Sequence, residues 1–143
     1  MTAKQVSIFL ENRAGRLAEV TSLLGDHGIN IRALSLADTA DFGILRLIVN
    51  DVDKAVRILK KEGLTVRETD VVAAEVPDRA GGLASILRIL SRENINVEYM
   101  YAFVRSPAES AIMIFRFDET QKAVEVLCQN GIRTLAGEDL YRL

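Results

Sequence analysis

Apolar and polar positions along the chain change period in a fixed order, and that order occurs twice. Gln5–Leu10 is short and β-leaning, and it stops at the polar turn Asn12-Arg13-Ala14-Gly15, which predicts a strand. Leu17, Val20 and Leu24 then fall on one stripe of a helix, with His27-Gly28 as its stop. Ile29–Leu36 and Gly43–Val49 are rich in Ile, Leu and Val and predict paired strands. Asn50 is expected to cap a second helix that carries Val52, Ala55, Val56 and Leu59 and ends at Gly63. Leu64–Val66 closes the series, and Val71–Val76 opens it again.

The second series is a copy of the first. Asn12-Arg13-Ala14-Gly15-Arg16-Leu17 returns as Asp78-Arg79-Ala80-Gly81-Gly82-Leu83, at an offset of 78 − 12 = 66 residues. Ala18/Ala84, Leu24/Leu90, Ile29/Ile95 and Asn30/Asn96 extend the match at the same offset. After a two-residue insertion the offset becomes 122 − 54 = 68, where Lys54-Ala55-Val56 matches Lys122-Ala123-Val124 and Gly63 matches Gly131. An ordered series of this length marks a duplicated unit. In the second copy the first helix is expected to stop at Asn94, a residue that accepts the left-handed conformation. Its second helix is expected to start at Asp118, with Gln121 at capping-box spacing.

Each copy therefore reads βαββαβ, the ferredoxin-like order, with two helices covering one face of an antiparallel sheet. The fold class is α+β, as two tandem units over residues 1–70 and 71–143. Only Arg67–Asp70 lies between them, without a Gly/Pro/Ser linker, so the units are expected to be held together rigidly.

The repeated turn follows a strand, opens a helix and carries a glycine in each copy. The first amides of a helix lack internal partners, and the helix dipole adds partial positive charge there. Glycine lets another group approach the backbone, so the loop suits a carboxylate or other small anion. Asn12 or Asp78 beside it offers an oxygen to an ammonium group. Together these are the needs of a free amino acid. A plainer reading is that Gly15 and Gly81 permit a tight turn while Asn12 and Asp78 cap the helix. Asn30 and Asn96 open the second strand among apolar neighbours, where Asn is unfavourable; a polar partner or a turn cap accounts for them equally.

A strand, then N/D-R-x-G-x-L opening a helix, then G/N-I-N-I/V opening the next strand resembles the ACT domain, the small regulatory module of amino-acid-metabolising enzymes. The resemblance covers nearly the whole chain, twice. It implies side-by-side pairing of modules, assembly as a homodimer, and a small-molecule ligand, an amino acid or related metabolite, at the interfaces. The site residues carried over are Asn12, Arg13, Ala14, Gly15, Arg16 and Leu17 with Asn30, and Asp78, Arg79, Ala80, Gly81, Gly82 and Leu83 with Asn96. The family often has proline where Ala14 and Ala80 stand, so this loop is less preset in φ. With no catalytic domain beside the pair, the output would pass to a partner enzyme or regulator.

Composition narrows the alternatives. The net charge is −2, from 18 basic and 20 acidic residues, which leaves no electrostatic footprint for nucleic acid or an acidic membrane. An RNA-binding βαββαβ module would also need aromatics on its central strands, and QVSIFL and VVAAEV offer only Phe9. One cysteine, Cys128, excludes an internal disulfide. One histidine, His27, at a helix end, leaves no nucleophile–base pair. The expectation is a cytoplasmic, non-catalytic sensor with no cofactor and no metal. The competing expectation is an interaction module that takes no ligand. Arg16 against Gly82, and Ile31-x-Ala33-x-Ser35 against Val97-x-Tyr99-x-Tyr101, predict that the two copies bind unequally.

Overall fold

A computed structural model of the chain describes residues 1–38, 41–103 and 110–143, the side chain of Asp38 excepted. The described elements are β1 (Ala3–Glu11), α1 (Arg16–Asp26), β2 (Ile31–Asp38), β3 (Phe42–Val49), α2 (Val52–Lys61) and β4 (Thr65–Pro77). There follow α3 (Gly82–Arg92), β5 (Val97–Ala102), β6 (Ser110–Phe117), α4 (Thr120–Gln129), β7 (Thr134–Leu135) and α5 (Gly137–Arg142). The chain divides into one unit of Lys4–Thr69 and another of Asp70–Leu143 together with Met1–Ala3. Arg67–Asp70, expected as a connection, is strand: β4 passes through it without a break.

In the first unit β1 pairs antiparallel with β3, from Val6↔Leu47 to Glu11↔Phe42, and β3 pairs antiparallel with β2. Alternate residues of a strand share a face. Val6, Ile8 and Leu10 of β1 and Leu45, Leu47 and Val49 of β3 therefore meet Val20 and Leu24 of α1 and Ala55, Ile58 and Leu59 of α2 in one core. Both helices thus cover the same sheet face.

The second unit repeats the plan, with β4 paired to β6 and β7, and β6 paired to β5, all antiparallel. Its core joins Val72, Ala74 and Val76 to Ile86 and Leu90 of α3 and Ala123, Val126 and Leu127 of α4. Phe115 and Phe117 stand two apart on β6 and stack at 5.3 Å, where the first copy has Leu47 and Val49. This α+β architecture is the expected pair of ferredoxin-like units.

The expected ends of the first helices hold. His27 is the C-cap of α1, Gly28 follows at φ +74°, and Asn94 takes φ +56° after α3. The caps of the second helices differ from expectation. Asp51, not Asn50, caps α2, its carboxylate accepting from the Lys54 amide at 3.1 Å. Glu119, not Asp118, is the N-cap of α4 and makes no side-chain cap bond, so Gln121 completes no capping box there. Asn50 and Asp118 are used by the strands instead, as described below. A further helix, α5, anchors its buried Leu140 and was not foreshadowed by any long apolar period.

Candidate functional site

Each repeated loop ends in a left-handed glycine. Gly15 has φ +85° and Gly81 φ +82°, and each is the N-cap of its helix with no side-chain cap bond. L-residues are disfavoured at such angles, whereas glycine adopts them freely. The glycines are therefore required by the turn itself, and Gly15 and Gly81, not Asn12 and Asp78, hold the N-cap positions. The chain before them is tight: the Arg13 amide donates to the Glu11 carbonyl at 2.9 Å and the Arg79 amide to the Pro77 carbonyl at 2.9 Å. The Glu19 amide donates to Gly15 and the Ser85 amide to Gly81, each at 3.0 Å. Among the described residues no backbone carbonyl outside the helices accepts from the amides of Leu17, Ala18, Leu83 or Ala84. The start of each helix thus carries amides that no backbone carbonyl outside the helices takes up.

Around this shared backbone the copies diverge in charge. In the first, Arg13 Nε donates to Glu11 at 3.0 Å and Arg13 lies 3.5 Å from Glu19. Arg16 donates to Glu19 at 3.0 Å and stands 3.9 Å from Glu11. Two guanidinium groups and two carboxylates close a network over the helix start. The hydrogen bond to Glu11, and then the charge of Glu19, raise the Arg13 pKa above its usual value. The hydrogen bond from Arg16, seconded by the charge of Arg13, lowers that of Glu19. The fork cannot satisfy everything at once: Arg16 Nε is buried without an acceptor.

In the second copy the positions of Glu11, Arg16 and Glu19 hold Pro77, Gly82 and Ser85. Ser85 turns its hydroxyl onto the Gly82 carbonyl at 2.7 Å. Among the described residues Arg79 forms no ion pair, so no network covers this helix start. Gly82 is buried, and a Cβ there would collide with the Pro77 carbonyl oxygen and stand 3.0 Å from its carbonyl carbon. The strand end and the helix are closer here than any side chain allows.

Asn30 and Asn96 stand apart from the loops of their own units. Each follows the C-terminal end of its first helix, some 11 residues of helix away, about 16 Å. Both are held by the same reciprocal bonds. The Asn30 amide donates to Asn50 Oδ1 at 2.9 Å while its carbonyl accepts from the Asn50 amide at 3.1 Å. The Asn96 amide donates to Asp118 Oδ1 at 3.0 Å and its carbonyl accepts from the Asp118 amide at 3.2 Å. These bonds clasp the start of β2 to the end of β3, and β5 to β6.

The loop's actual neighbours in the first unit come from the other end of the β2–β3 hairpin. The Asn12 amide donates to the Asp41 carbonyl at 2.8 Å. A cavity of about 60 Å³ is lined by Leu10, Glu11, Asn12, Arg13, Leu17, Leu36 and Gly43. Leu36, Asp41 and Gly43 were missed in the sequence, although the antiparallel order itself places the end of β1 beside the start of β3. Ligand pockets generally run from about 300 Å³ upward, so this cavity is too small to enclose an amino acid by itself. Among the described residues no group of three or more His, Cys, Asp or Glu could hold a metal ion. No described helix is long and apolar enough to cross a membrane.

Over residues 1–143 the sequence matches the family model described as an ACT domain pair. No curated protein matches it. Among solved structures it is similar to protein BT0572 from Bacteroides thetaiotaomicron, at 46% identity and a TM-score of 0.94, over 100% of this chain and 98% of that one. It is also similar in fold to the ligand-free regulatory subunit of aspartate kinase from Thermus thermophilus, at 14% identity and a TM-score of 0.64, over 88% and 91% of the two chains.

Proposed function

The chain belongs to the ACT domain pair family, and on that footing we propose that it binds a free amino acid or a related small carboxylate at its strand-to-helix loops. It acts as a regulatory sensor without chemistry of its own and passes the binding event to a partner protein. The observation that carries this reading is the pair of left-handed glycines, Gly15 and Gly81, which start each helix with no side chain capping it. Helix-start amides beside Asn12 or Asp78 complement a carboxylate and an ammonium group. The residues of the site are Asn12–Leu17 and Asp78–Leu83, with Asn30 and Asn96 offered to a neighbouring module.

The charge difference gives the asymmetry a direction. In the first copy a ligand carboxylate must displace Glu11 and Glu19 from Arg13 and Arg16. In the second it meets Arg79 and the α3 amides without that competition, and Asp78 offers a full negative charge to the ammonium group. The second loop is therefore the tighter site.

A thermal-shift screen against the twenty amino acids and common 2-oxo acids, followed by calorimetry, tests both parts. The expected affinity is micromolar to millimolar, about 4–8 kcal/mol. Asp78→Ala should weaken the stronger site while Asn12→Ala affects only the weaker one. Silence across the whole screen would leave an interaction module that takes no ligand. Two equal sites would overturn the asymmetry alone.

A further inference from the structure

The far end of the first unit carries a second, differently charged concavity. His27, Lys54, Arg57, Ile58, Lys61 and Glu62 line a groove of about 310 Å³. Lys54, Arg57 and Lys61 follow i, i+3, i+7 spacing on α2 and so share one face of the helix. Among the described residues none of the three forms an ion pair, in a chain whose net charge is −2. Three cations thus converge on one groove with Glu62 as the single acid in its lining, while buried Ile58 forms an apolar floor.

The second copy shows that the fold does not need this arrangement. At an offset of 68, Lys54, Arg57 and Lys61 become Lys122, Glu125 and Gln129, and at 66 His27 becomes Glu93. There the remaining lysine is spent locally: Lys122 donates to the Glu93 carbonyl at 2.8 Å and lies 3.9 Å from Glu119. The same helix corner is built with a mixed, self-neutralised surface. A cation in the last turn of a helix is accounted for by the helix dipole, which covers Lys61 but neither Lys54 nor Arg57.

We propose that this groove is an anion site for a phosphate-bearing small molecule, with two or three linked phosphates meeting Lys54, Arg57 and Lys61. Guanidinium binds phosphate oxygens in pairs and lysine binds them as a point charge. Seven residues of helix span about 10 Å, too far for one phosphate to serve all three cations and suited to a short chain of them. The groove lies at the opposite end of α1 from the Asn12–Leu17 loop, so this proposal stands independently of the amino-acid site.

The test is calorimetric titration of the full chain with sodium tripolyphosphate, and then with a nucleoside triphosphate, at low and high salt. Wild type should bind tripolyphosphate below about millimolar, more weakly at high salt. Lys54→Gln with Arg57→Gln should weaken it at least about tenfold, while Lys122→Gln in the second copy leaves it unchanged. Arg57 is exposed and Lys54 and Lys122 are half-buried, and circular dichroism should show all variants folded. Equal binding of the nucleotide assigns recognition to the phosphates, and tighter binding adds a base or sugar contact. No binding by wild type, equal loss from Lys122→Gln, or unchanged affinity in the double variant would overturn the proposal. So would binding of a poly-glutamate peptide at this face in place of tripolyphosphate.

Discussion

At the scale of single residues, the glycines separate into kinds that composition alone does not distinguish. Gly81 is left-handed with open space where a Cβ would stand, whereas Gly25 lies within α1 with equally open space and an ordinary helical backbone. Gly81→Ala should therefore destabilise by about 1–2 kcal/mol, and Gly25→Ala should stabilise by about 0.5–1 kcal/mol. Urea unfolding of the two variants checks both signs. A valine at Gly15 or Gly81 tests the turn before it tests the ligand, so Asn, which tolerates the left-handed region, is the better probe of binding. The polar pairs Asn50-Asp51 and Asp118-Glu119 show what stayed hidden in the sequence. Both members of each pair are polar enough to cap, and only the backbone decides which serves the helix and which clasps the strand.

The Glu11–Arg13–Arg16–Glu19 network also belongs to this scale. Glu19 is more acidic in the folded state, so its contribution is complete above the ordinary glutamate value, about 4.3, and is lost as pH falls through the lowered folded value. Arg13, raised above an already high value, stays charged throughout this range. The melting temperature of wild type should therefore fall toward that of Glu19→Gln as pH drops from about 5 to 3. Parallel curves for the two proteins would remove Glu19 from the account.

At the scale of elements, β2 ends its sheet with apolar side chains left uncovered within its unit. Leu34 and Leu36 pair in register with the core residues Leu47 and Leu45 of β3, yet they remain 42% and 51% exposed. A strand edge with unpaired backbone and exposed leucines invites another strand. We infer that β2 joins a second copy of the chain. Leu34→Lys with Leu36→Lys should halve the mass seen by light scattering and leave the circular dichroism unchanged; a wild-type monomer would sink the inference. The longer strands and helices were legible because each carries a regular period, whereas Arg67–Asp70, polar and within β4, carries none. The six-residue α5 was not, because its single buried anchor, Leu140, makes no period at all.

For the molecule as a whole, the duplication was legible because both copies kept the residues that shape the turn. Arg13 and Arg79, Gly15 and Gly81, and Leu17 and Leu83 survive in both. The copies differ in charge at Glu11 against Pro77, Glu19 against Ser85 and Arg57 against Glu125. Those were visible as letters but carried no meaning until the fold showed what each touched. The basic groove along α2 and the ion-pair network at the start of α1 both sit in the first unit. The second unit keeps the same backbone with neither.

The packing of Gly82 against Pro77 makes the two halves unequal in their future as well as their present. A duplicated gene can overwrite one copy with the other, and here that traffic has a direction. Glycine from the second copy can enter at Arg16, where it removes a side chain and leaves only a hole in a surface network. Arginine from the first cannot enter at Gly82, where the backbone carbonyl of Pro77 already occupies the room its first carbon needs. With the strand end and helix closed on each other in the second half, a single exchange at that position is tolerated in one direction alone.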